Sequence, residues 1–63
     1  MQSFYFTYRF GHKYWGGWVR LLAYTWQEAQ KEYEQRFGRD YLNFYHEDLF
    51  QKSKYVKGEQ LLL

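Results

Sequence analysis

The sequence predicts a small α+β domain: a ββαβ chain whose three-stranded, mainly antiparallel sheet carries one helix on one face. Three observations predict it. Residues 3–10 and 18–24 each show the side-chain rhythm of a strand. The paired glycines Gly16 and Gly17 lie between them, where the chain must reverse. Thr25-Trp26-Gln27-Glu28 then opens a helical pattern directly after the second strand.

Along the first strand Phe4, Phe6, Tyr8 and Phe10 fall on one side and Ser3, Tyr5, Thr7 and Arg9 on the other. Gly11 to Gly17 form the connection. The second strand sets Val19, Leu21 and Ala23 against Trp18, Arg20, Leu22 and Tyr24. Each strand therefore has one plainly apolar face and one that mixes rings with arginine.

The helix start is a capping box, in which the Thr25 hydroxyl takes the amide of Glu28 while the Glu28 carboxylate reaches back. At helical spacing Trp26, Ala29, Gln30, Tyr33 and Phe37 share one stripe, which is apolar except for Gln30. Glu32 and Arg36 stand in the favourable i,i+4 order, and Gly38 supplies a left-handed stop, so the helix spans about 26–37. Residues 41–46 alternate as a third strand, although Leu42, Tyr45 and Leu49 also share one side of a helix. Placed beside the first strand, the third gives the order 2-1-3 with a right-handed crossover. Residues 1–50 then form a single ββαβ domain. Residues 51–63, rich in lysine and ending in three leucines, show no period and read as a loosely ordered C-terminal tail that docks on the core or serves a partner.

A chain of 63 residues sits near the lower size limit for a single core, and without cysteine it has no disulfide to brace it. Aromatic packing must compensate: Phe, Tyr and Trp make up 27% of the residues. The formal charge of +2 is too small to announce nucleic-acid binding, yet it is unevenly spread. Arg9, Lys13 and Arg20 stand without an acid in the hairpin, whereas Glu28, Glu32 and Glu34 make the helix acidic. No apolar run approaches the length of a membrane span and the N-terminus lacks a signal-peptide pattern, so the chain reads as cytoplasmic, with no membrane partner.

If the helix covers the apolar side of the sheet, Tyr5, Arg9, Trp18, Arg20, Leu22, Tyr24, Tyr41 and Tyr45 are left on the other, with Lys13, Tyr14 and Trp15 at the loop edge. Tyr, Trp and Arg are the residue types enriched at binding hot spots. That face expects one of three covers: a partner, a second copy forming a homodimer, or the chain's own tail. Two functions fit it. One is a non-enzymatic protein-binding module; the other is a single-stranded nucleic-acid-binding protein using the same basic aromatic face. Residues 13–21 share exposed rings and basic groups with the aromatic strand of RNA-recognition domains. Leu21, however, stands where that motif needs a ring, and the chain is too short for that fold. His12 and His46 lack a third spaced ligand for zinc, and no nucleophile is set up for activation, so neither a catalytic residue nor a cofactor is expected.

In format the chain resembles the small accessory proteins of phages and mobile elements, being very short, free of Cys and Pro, rich in aromatics, and built as a hairpin followed by a helix opening at Thr25-Trp26-Gln27-Glu28-Ala29. The resemblance implies a protein that blocks or redirects a host complex such as a nuclease or an antiviral defence system, including anti-CRISPR-like roles.

Overall fold

A computed structural model describes residues 1–61. It is a small α+β domain with the elements β1 (Gln2–Thr7), β2 (Gly17–Ala23), α1 (Trp26–Phe37), β3 (Asn43–His46), α2 (Glu47–Gln51), a 3-10 turn (Lys54–Lys57) and β4 (Glu59–Gln60). The sheet order is β3-β1-β2-β4. β1 runs antiparallel to both β2 and β3, and β4 adds a parallel edge to β2. The expected 2-1-3 arrangement is present, enlarged by a fourth strand at the β2 edge.

Register explains the core. Phe4 pairs with Leu21 and His46, and Phe6 with Val19 and Phe44, so these side chains share the face that receives α1. Phe4, Phe6, Tyr8, Val19, Leu21 and Ala23 close against Ala29 and Tyr33. Phe6 is stacked at 4.3 Å on Tyr33 and at 5.1 Å on Phe44. The Thr25 hydroxyl accepts the Glu28 amide at 3.2 Å, Glu32 and Arg36 meet at 3.9 Å, and Gly38, at φ 84°, ends the helix.

A chain of hydrogen bonds ties the helix to the hairpin loop. Tyr33 donates to Asp40 Oδ1 at 2.9 Å, so its single proton is committed, and the 2.6 Å contact with Tyr8 must be Tyr8 donating to Tyr33. Asp40 Oδ2 lies 3.3 Å from His12 Nε2, while His12 Nδ1 accepts the Tyr14 amide at 3.0 Å. His12 is thus a structural pin whose Nε2 carries the proton toward Asp40. Burial raises the Tyr33 phenol far above the ordinary value, and its hydrogen bonds with Tyr8 and Asp40 add to the shift. Burial likewise raises Tyr8.

Several expectations are corrected. β1 stops at Thr7, because the chain turns at once, with His12 N–H bonding Arg9 O; Phe10, assigned to the apolar face, is therefore 82% exposed. Trp26 heads the helix but is half out of the core, its ring 6.2 Å from that of Phe44. Among the described residues the sheet has four strands, Glu47–Gln51 form a helix, and residues 51–61, expected as a loose tail, hold the end of that helix, a 3-10 turn and a strand. Leu61 packs against the core and its amide bonds Trp18 O at 2.8 Å. The expectation for Leu62 and Leu63 lies outside the described residues. Among the described residues no helix is long and apolar enough to cross a membrane.

Candidate functional site

Of the three covers expected for the second sheet face, the chain itself supplies one. His46 ends β3 and caps α2, accepting the Asp48 amide on Nδ1 at 3.5 Å while its other nitrogen meets Gln2 Oε1 at 2.6 Å. The short helix drops Phe50 onto the sheet, stacked on Tyr5 at 4.0 Å and edge-on to Trp18 at 5.1 Å. Farther along, Tyr55 lies against Tyr45 at 6.0 Å. Tyr5, expected in the binding face, is therefore buried core, Trp18 and Tyr45 are half-buried, and Tyr41, expected there too, packs instead on the α1 side, edge-on to Phe6 at 5.1 Å. Burial raises the Tyr5 phenol, the Glu47 carboxylate adds to this, and Arg20 opposes it. Trp18 Nε1 and Glu47 Oε2 are buried, with no hydrogen-bond partner among the described residues.

What remains open lies at the two ends of β2. At the far end, Arg20 and Leu22 continue the same face and are exposed, and Arg20 is steadied by a 3.0 Å bond from Nε to Ser3 Oγ. Tyr24, 63% exposed, and Trp26, 51% exposed, follow in the chain. Together with Met1 they border two shallow hollows of about 300 and 430 Å³, one rimmed by Glu28, Lys31 and Glu32 and the other floored by Phe4 and His46. Two of the expected contact residues, Arg20 and Tyr24, belong to this end.

At the loop end, the hairpin connection and the C-terminal segment enclose a cleft of about 560 Å³. Arg9, Phe10 and Trp15 line it from the hairpin, and Lys54, Tyr55 and Lys57 from the 3-10 turn. The two walls meet at a glycine crossing. Glu59 N–H bonds Gly16 O at 3.1 Å, Gly16 has φ 95°, and a Cβ on Gly58 would stand 2.6 Å from the same carbonyl. Phe10 and Trp15, the latter 53% exposed, meet edge to face at 5.1 Å on the rim. Among the described residues no carboxylate lines the cleft and none of its three cations is in an ion pair.

Arg9 and Trp15, both expected contact residues, belong to this cleft. Tyr14 instead packs half-buried on Tyr8 at 5.3 Å, with Lys13 over its ring at 4.9 Å, so these two support the loop. The sequence reading missed Phe10, placed on the core face, and Lys54, Tyr55 and Lys57, placed in the tail. The available signal was two lysines three residues apart around a tyrosine, the spacing at which side chains of a 3-10 turn align.

Compared with known proteins, the chain matches no family model, no curated protein and no solved structure.

Proposed function

We propose that this chain is a non-enzymatic protein-binding module, an inhibitor or adaptor of a host protein complex, which docks through the far end of β2. The observation that carries the reading is the exposure of Leu22 beside Arg20, on the part of the sheet face that the C-terminal segment leaves bare, with Tyr24 and Trp26 exposed next to it where the chain passes from β2 into α1 on the other side of the sheet. Large rings held in water are a liability in a small domain unless a partner covers them, and Trp, Tyr and Arg dominate the energetics of protein interfaces. The short, aromatic-rich format shared with phage and mobile-element accessory proteins supports the same reading. A nuclease or an antiviral defence complex is the kind of target that format suggests.

The test is capture from a nuclease-treated host lysate with a photo-cross-linking residue in place of Leu22, followed by identification of the adduct. Tyr24→Ala and Trp26→Ala are each expected to weaken the recovered interaction by about 2 kcal/mol while circular dichroism shows the fold intact. A specific adduct that survives both substitutions unchanged counts against this surface. If the cross-link joins two copies of the chain and light scattering shows a dimer, the surface is a self-interface and the inhibitor reading falls.

A further inference from the structure

We infer that the cleft at the loop end of the sheet is a binding site for single-stranded nucleic acid, separate from the protein-docking surface at the far end of β2. The charge of the cleft points there first. Arg9 enters from the hairpin, and Lys54 and Lys57 stand three residues apart on a 3-10 turn, a spacing that aligns their side chains on one side. With no carboxylate in the lining among the described residues, the site offers guanidinium and ammonium donors to an anion, the nearest acids, Asp40 and Glu59, lying outside it.

The rings narrow the choice of anion. Phe10 and Trp15 stand out from the rim at 82% and 53% exposure, and Tyr55 forms part of the opposite wall. Exposed aromatic faces beside cations are what unstacked bases with their phosphates require, since every base has a face to stack and each step of the backbone carries a charge. In a duplex the bases are already stacked on one another, leaving these rings without partners. The volume, about 560 Å³, is that of a site for a compact ligand, here one or two nucleotide units of a strand that passes over it.

The experiment uses the full chain and fluorescence anisotropy with a labelled thymidine oligomer of about ten nucleotides, within the range of site sizes of single-strand binders. The single strand is expected to bind more tightly than a duplex of equal length. Its affinity should fall with salt along a log–log slope of about −2, as three phosphate contacts require. Trp15→Ala should weaken binding about tenfold or more through lost stacking, and Lys54→Ala combined with Lys57→Ala should flatten the slope toward about −0.7. All three side chains lie on the surface, and circular dichroism checks that the fold survives. Tyr24→Ala, at the other end, should leave oligomer affinity unchanged. Absence of binding at low salt overturns the inference. So does equal binding of the duplex with no effect of Trp15→Ala, which is attraction to any polyanion, and so does full competition by poly-glutamate, which makes the cleft an acidic-peptide site.

Discussion

Phe50 lies flat on Tyr5, with ring centroids 4.0 Å apart and planes within 3° of parallel, and this contact turns an open sheet face into a second small core. Phe50 is the deepest side chain of the C-terminal segment, and it also meets Trp18 edge-on. Removing it should release α2 from the sheet. Phe50→Ala is expected to destabilise the protein by about 3 kcal/mol or more, a large share of the stability of a small domain. A urea midpoint measures the loss, and a red shift of tryptophan emission reports the hydration of Trp18. An unchanged midpoint would mean that the segment contributes nothing to the fold.

Thr25→Ala removes the side-chain acceptor of the Glu28 amide at the start of α1. It should cost about 1 kcal/mol, read as a lower melting temperature, with Thr25→Ser retaining most of the stability.

The glycine crossing gives a sterically specific prediction. Gly58 has φ −75°, a backbone that alanine adopts freely, so the obstacles to Gly58→Ala are steric: the Gly16 carbonyl oxygen 2.6 Å and the Tyr55 carbonyl oxygen 3.2 Å from the new Cβ. The two walls must part, at a cost of about 1–3 kcal/mol. Hydrogen exchange at the amides of Glu59 and Leu61, which bond Gly16 and Trp18, should accelerate in the variant.

Alkaline pH should unfold the protein through Tyr5, Tyr8 and Tyr33. All three phenols are raised in the fold above the ordinary value of 10.0. Above that pH the unfolded chain has fewer bound protons than the native one, so stability falls as pH rises; below it the two states hold equal numbers and this contribution is constant. With three tyrosines the slope approaches roughly 4 kcal/mol per pH unit. Denaturation midpoints across the alkaline range measure it, and Tyr33→Phe should lower the slope by about a third. That variant should also lose about 1–3 kcal/mol at neutral pH, because Tyr8 and Asp40 are left without their shared partner.

What the sequence makes legible is what it encodes locally. The alternation of Phe4, Tyr5, Phe6 and Thr7 and the Thr25–Glu28 cap each lie within a few residues, and the placement of β3 beside β1 follows from handedness alone. α2 is different. It spans five residues, too few for a period, and is held by Phe50 reaching Tyr5 across 45 positions, a contact that no local pattern announces. Phe10 is misread for a related reason: the alternation runs on to it, but the strand ends at Thr7 when the turn closed by Arg9 and His12 begins. The cleft is the least legible part, since Arg9 and Lys57 converge only after β4 has zipped onto β2.

β2 acts as a ruler. From Gly17 in the cleft to Leu22 at the bare end, five strand steps fix a separation of about 17 Å along one rigid hydrogen-bonded element. A target that offers a protein groove and an emerging single strand at that spacing would hold both contacts at once, the second at the millimolar effective concentration that short tethers give. Two weak contacts would then act as one strong one. A free strand or a free protein would be held by one contact alone, and selectivity for a loaded complex over its separated parts would follow from the length of a single strand.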